Sequence, residues 1–444
     1  MKLSLIYTLL LTSITISAYG ESTPLNLSPV PLYLNGNVDP NIMLTLDDSG
    51  SMQMEIMPLE TEAPLIGGDY DASKYKFSHY LFPVSSKIYP VNFRRVLSFS
   101  DEINSIRSRS VSHNKIYYDP KRRYRPWLKA DGSAMPQANV DCAPHDPVFT
   151  EDTTYRNDRC RPLNRENNQK ADWHINNGTE ELSRHNSSSR RWFWPAFYYN
   201  YRGGDSKDDK HNPANYTKVE IRDSKTQYPR AATRTDCITS DSYCSYQEEI
   251  QNFANWYTYY RSRILLARAG IGRAFAEQGS NLRVGFASIN HGIDPKTSTT
   301  VDGQASSGAV IDGVRPFSGE NRTAFFDRLY HHDIPTKGTP LRLAMKAVGH
   351  YFERDDNQGP WSATPGEVNN AEQLSCRQNY HLLMTDGHWS GRESPNVGNT
   401  DGEAGQEITA VNNSQSYTYQ PMAPYEDKYS DTLADVAMTF WKKD

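Results

Sequence analysis

Asn41-Ile42-Met43-Leu44-Thr45-Leu46 runs directly into Asp47-Asp48-Ser49-Gly50-Ser51-Met52, and the reading of this stretch decides the fold. The first half is almost continuously apolar, the pattern of a short strand buried on both faces, as in a parallel sheet. It stops at Asp47, and the polar turn that follows fits Asp-x-Ser-Gly-Ser. A chance match to those fixed positions somewhere in a chain of this length is on the order of one in a hundred. Alone, such a turn is an ordinary polar strand exit, so its surroundings decide.

Two further runs resemble the first. Residues 282–289 are apolar or small at nearly every position, and residues 380–385 (Tyr-His-Leu-Leu-Met-Thr) end at the turn signal Asp386-Gly387. Between and after them lie helical patterns. Phe253, Trp256, Tyr260, Ile264, Ala267, Ile271 and Phe275 recur at steps of three and four, which predicts one long helix ending near Gly279. Leu341, Ala344, Met345, Val348 and Phe352 predict a second, with Thr339 at the N-cap and Pro340 at the first helical position. A third is expected over residues 432–443. Strands alternating with helices point to an α/β layered fold with a mainly parallel sheet.

In such a sheet the C-terminal ends of the strands share one edge, and ligands bind in the crevice beyond it. Asp47 and Asp386 then face the same rim, joined by Ser49, Ser51 and Thr339. Taken singly, Thr339 reads as a helix cap and Asp386 as a turn residue. Together they form an oxygen-only donor set, suited to Mg²⁺ first and to Mn²⁺ or Ca²⁺, and not to zinc or copper. Without a cation the two carboxylates repel each other.

The chain begins Met1-Lys2, continues mostly apolar to Ile16 and reaches Ser17-Ala18-Tyr19-Gly20, which predicts a secretory signal peptide over residues 1–20. The run contains Thr8, Thr12, Ser13 and Thr15 and is short for a membrane span. No second apolar run of that length follows, so no transmembrane segment is expected after cleavage. With 37% hydrophobic and 23% charged residues there is ample material for a core. A net charge of -5 leaves no basic face for nucleic acid, and Lys121-Arg122-Arg123 and Arg190-Arg191 read as solvated loops.

Residues 21–54 are read as the start of the core domain, 55–248 as an insertion after its first strand, and 249–444 as the remainder. The insertion is rich in Tyr, Pro, Asn and Arg, has no sustained period, and stands where an α/β unit needs only a few residues. It is therefore expected to be loop-rich and to protrude from the strand-end face. An exported chain permits disulfides. Its five cysteines with one left over allow about 15 pairings; proximity in sequence favours Cys142 with Cys160 and Cys237 with Cys244, leaving Cys376 odd.

Asp47-x-Ser49-Gly50-Ser51, Thr339 in Gly338-Thr339-Pro340-Leu341, and Asp386 in Thr385-Asp386-Gly387 resemble the three motifs of the von Willebrand A-type metal-ion-dependent adhesion site. More narrowly, several segments resemble the PilY/PilC family of type IV pilus tip-associated adhesins, in family order from about residue 36 to the end. They are Tyr117-Tyr118-Asp119-Pro120 with Tyr124-Arg125-Pro126-Trp127, Asn252 to Tyr257 with Tyr260-Arg261-Ser262-Arg263, residues 317–323, residues 376–381, and residues 432–438. The resemblance implies a doubly wound, von Willebrand A-like sheet flanked by helices, exported to the cell surface or pilus tip by way of the periplasm. It also implies Ser49 and Ser51 as direct ligands, Thr339 as a ligand directly or through water, and Asp47 and Asp386 as holders of ordered waters. Asp48 occupies the variable position and takes no role. The implied partners are the pilus tip or minor pilins and a carboxylate-bearing surface or host ligand; the implied roles are pilus biogenesis, attachment, twitching motility and surface sensing. Family members continue into a calcium-binding β-propeller. An A-type domain also adds a further strand after the helix at residues 432–443, whereas this chain stops at Asp444, so a truncated sheet with an unpaired edge is expected.

Binding, not turnover, is the expectation. No Gly-x-Ser-x-Gly elbow, His-Glu-x-x-His or phosphate loop occurs. Gly270-Ile271-Gly272 begins a dinucleotide pattern inside a helix and reads as a close-packing site. Residues 205–209 lack EF-hand spacing and read as a solvated turn. The rivals are a structural pilus-tip scaffold and a metal-dependent hydrolase using Ser49 with His388.

Overall fold

The computed structural model describes residues 38–57, 80–83, 96–148, 159–171, 173–176, 182–184, 189–291, 300–305, 308–335, 337–374, 377–387, 389–390, 394–409 and 416–443. The expected leader over residues 1–20, Cys376 and His388 lie outside them.

Four strands form the main sheet: β1 (Asn41–Leu46), β2 (Arg283–Ser288), β3 (Val310–Pro316) and β4 (Asn379–Met384), in the order β3-β2-β1-β4. β1 runs parallel to both neighbours, with Asn41 opposite Arg283 on one side and Asn379 on the other; β3 is antiparallel to β2. The α/β class expected from the alternation of patterns is therefore present. β1 is apolar at nearly every position because both faces are covered. Met43 packs with Ala287, Val310, Leu341, Ala344 and Val348, while Leu44 and Leu46 join Phe286, Phe253 and Ile264. β3 has no counterpart in the sequence reading: it carries Asp312, Gly313 and Pro316, which an edge strand tolerates and a central one does not. The outer edge of β4 has no strand partner among the described residues, and Leu382 there is 48% exposed.

The long helix expected over residues 253–275 is two, α1 (Tyr246–Tyr259) and α2 (Arg263–Ala276). The apolar stripe continues across the break, so periodicity does not reveal it. The break has a tertiary cause. Arg261 is fully buried with its guanidinium 2.6 Å from Glu55, and Ser262 accepts the Leu265 N–H to start α2. Within α2, a Cβ on Gly272 would fall on the Tyr330 hydroxyl, the close-packing role expected of it. α3 (Gly319–His331) and α4 (Leu341–Phe352) follow. The residue before α4 is Pro340 and no side chain caps the helix, so Thr339 stands outside it and is not its N-cap. α5 (Leu433–Trp441) opens on a capping box of Thr432 and Asp435. None of the described helices is long and apolar enough to cross a membrane.

Between β1 and α1 the chain makes short strands, among them the pair Phe197–Tyr201 and Tyr216–Glu220. The disulfides Cys142–Cys160 and Cys237–Cys244 form as expected. Residues 116–138 are almost without regular structure, and several of their backbone groups are satisfied by side chains of α1. Asn252 accepts the Tyr124 N–H at 2.7 Å and donates to the Arg122 carbonyl at 2.8 Å, Asn255 donates to the Tyr124 carbonyl at 3.0 Å, and Trp256 donates to the Ile116 carbonyl at 2.9 Å. Trp127 returns a bond to the Tyr259 carbonyl at 2.9 Å. The two motif segments therefore meet in space. Their aromatic rings belong to the same apolar cluster as Leu44 and Leu46 of β1.

Candidate metal centre

Because β1 and β4 are parallel and in register, Leu46 lies opposite Met384 and both strands exit at the same edge. The Asp47 N–H donates to the Met384 carbonyl at 3.0 Å, which fixes the first residue beyond β1 against the end of β4. Asp47 is fully buried. Its Oδ1 accepts the Ser49 N–H at 2.8 Å and its Oδ2 accepts the Thr385 hydroxyl at 2.7 Å. Burial pushes this carboxyl upward, the bonds from Ser49 and Thr385 act against that, and the negative charge of Asp386 adds to it.

The single turn Gly50–Gln53 folds Ser51 back beside Ser49, so that the two hydroxyl oxygens are 2.9 Å apart. The Ser51 hydroxyl also donates to Asp386 Oδ1 at 3.1 Å. Thr339 is brought in by its backbone. The Gly50 N–H donates to the Lys337 carbonyl at 3.1 Å, Asn290 Nδ2 donates to the Gly338 carbonyl at 2.9 Å, and Thr339 exchanges bonds with Ser390 at 2.9 and 3.0 Å. Thus the segments carrying Asp47, Ser49, Ser51, Thr339 and Asp386 all converge on the rim.

Two residues at the rim were given no role there by the sequence. Asp48, at the variable position, is committed to structure: its Oδ1 accepts both the backbone and side-chain N–H of Asn290 at 3.0 Å, and its Oδ2 meets His332 Nε2 at 3.0 Å. It ties the end of β1 to the loop after β2. Arg263, at the first position of α2, places Nη1 2.6 Å from Asp386 Oδ2. A basic residue in a helix whose stripe runs on unbroken gives no signal of this.

The donors suit a hard cation. Magnesium binds oxygens at about 2.0–2.1 Å in an octahedron, which sets adjacent ligand oxygens about 2.9 Å apart. Ser49 and Ser51 already have that separation. Among the described residues no group of three or more His, Cys, Asp and Glu gathers as a metal cluster. Among the same residues the Ser49 hydroxyl pairs with that of Ser51 at 2.9 Å; His388, the base of the rival hydrolase reading, lies outside them.

Three relatives resemble the chain along nearly all of its length. It is 29% identical over 426 residues to the type IV pilus biogenesis factor PilY1 of Pseudomonas aeruginosa strain PAO1, covering 96% of this chain and 29% of that protein. The PilY1 of strain PAK is 29% identical over 430 residues, 96% and 30% of the two chains, and that of strain UCBPP-PA14 is 27% identical over 428 residues, 95% and 29%. The chain spans under a third of the length of these curated relatives. No protein-family model matches the chain, and no solved structure matches it. The resemblance to the PilY/PilC family that the motifs carry thus extends over about 96% of the chain, and this protein is a relative of those pilus proteins.

Proposed function

We propose that this chain is an exported type IV pilus biogenesis factor and adhesin, built on a von Willebrand A-like domain that captures an acidic ligand through a divalent cation. The observation that carries the reading is the pair of hydroxyls, Ser49 and Ser51, 2.9 Å apart at the edge where β1 and β4 end, with Asp386 hydrogen-bonded to one of them. Ser49 and Ser51 would hold the ion, Thr339 directly or through water, and Asp47 and Asp386 would orient its waters. When bound, Mg²⁺ supplies a hard positive centre with a coordination position open to a partner carboxylate. The similarity to type IV pilus biogenesis factors supports the pilus assignment; attachment, twitching motility, surface sensing, and pilus-tip or minor pilins as partners belong to the same proposal.

The test is binding of purified pilins and candidate surface ligands, with Mg²⁺ and with chelator. Capture that needs the ion and disappears with Ser49→Ala supports the adhesin. Capture indifferent to both would leave a pilus-tip scaffold and remove the metal from the account.

A further inference from the structure

Arg263 is built into the rim from three directions. Its guanidinium Nη1 lies 2.6 Å from Asp386 Oδ2, its Nε and Nη2 donate to the Ile56 carbonyl at 2.9 and 2.7 Å, and its backbone N–H donates to the Met54 carbonyl at 3.1 Å. The side chain is 14% exposed and that of Asp386 is 6% exposed, so the pair is sheltered but reachable from the rim. It joins the segment just after Asp-x-Ser-Gly-Ser to the aspartate beyond β4. The arrangement spends one positive charge beside the carboxylates that a cation needs.

We propose that Arg263 tunes the rim to hold an anionic ligand at the expense of holding the ion, a role that rests on the metal reading above. Asp47 and Asp386 are the carboxyls bonded to the Ser49 and Ser51 segment, while the Asp48 carboxyl bonds to Asn290 and His332. Arg263 adds one positive charge beside them, so with a divalent ion bound the rim is one unit more positive than it would be without this residue. That extra charge favours a partner carboxylate and opposes the ion. Without Arg263 the rim would bind the cation more tightly and the carboxylate less. Arg263 is thus a specificity-determining and positioning residue; it need not touch the ion.

The experiment compares wild type, Arg263→Gln and Arg263→Lys by titration calorimetry with Mg²⁺ alone, then with acetate added to the Mg²⁺-loaded protein. Arg263→Gln is expected to bind Mg²⁺ roughly three- to tenfold more tightly, with a smaller gain at high salt, and to lose most of the acetate response. Arg263→Lys keeps the charge without the fork and should follow wild type. A purely structural role would make both variants weaken Mg²⁺ alike, and that result, or an unchanged Arg263→Gln, overturns the proposal. A wild type silent to Mg²⁺ overturns the metal reading itself, and the role of Arg263 with it.

Discussion

The Ser51 hydroxyl contacts both Ser49, 2.9 Å away, and Asp386, 3.1 Å away, so one side chain connects the first and last segments of the rim. On the metal reading proposed above, residues in that position would orient the ligands of the ion. Asp47→Ala, Ser49→Ala and Asp386→Ala should therefore melt alike in Mg²⁺ and in chelator. Wild type should gain about 2.7 kcal/mol when the ion stands at about a hundred times its dissociation constant. Differential scanning calorimetry reads this directly, and a variant that keeps the shift would remove its residue from the site. Glu248 makes a second residue-level case. Partial burial works to raise its pKa, but bonds from the N–H groups and hydroxyls of Ser245 and Thr239 prevail and hold it down at about 2. A carboxyl depressed on folding adds stability above its unfolded pKa and loses it as pH falls through the folded one. The stability gap between wild type and Glu248→Gln should stay constant above about pH 5 and close as pH approaches about 2, as pH-dependent urea melts would show.

The two interior strands β1 and β2 and the edge strand β4 were legible as elements, since each is a nearly unbroken apolar run. β3 was not, because an edge strand needs no such run. The rim aspartates were legible because they follow strands. Arg263 was not, because its role comes from a contact between segments far apart in sequence. The same holds for the break between α1 and α2, which depends on Arg261 reaching Glu55 and the carbonyls of Tyr257 and His145. Arg261→Met should cost about 3–5 kcal/mol in urea unfolding, since it leaves a buried carboxylate without its cation; a loss below about 1 kcal/mol would show that the helix break needs no ion pair. α1 itself serves as a scaffold of side chains for residues 116–138. Asn252→Ala strips bonds from the Tyr124 N–H, the Arg122 carbonyl and the Tyr118 hydroxyl at once. The expected loss is about 1–3 kcal/mol, with hydrogen exchange rising in residues 116–138 ahead of the sheet.

At the scale of the molecule, rings from residues 117–127 and α1 share one continuous apolar cluster with Leu44 and Leu46 of β1. The long stretch between β1 and α1 and the sheet are therefore expected to unfold together: thermal melts followed by tryptophan fluorescence, which reports Trp127, Trp173, Trp192 and Trp194 in that stretch along with Trp256, Trp361, Trp389 and Trp441 beyond it, and by far-ultraviolet circular dichroism should coincide. Two separated transitions would mean that the stretch is an independent body. The pairing of β1 has a further result for how the chain reaches this state. Asn41 meets Asn379 across 338 residues of chain, and its other neighbour, Arg283, also lies far downstream. A strand made early thus has nothing to zip against until most of the polypeptide has followed it. Contact order of this kind slows folding and prolongs the life of bare, sticky strands. For a chain exported as proposed above, the same delay would keep the leading segment threadable, so that the polypeptide could pass through a narrow channel before it has the means to lock.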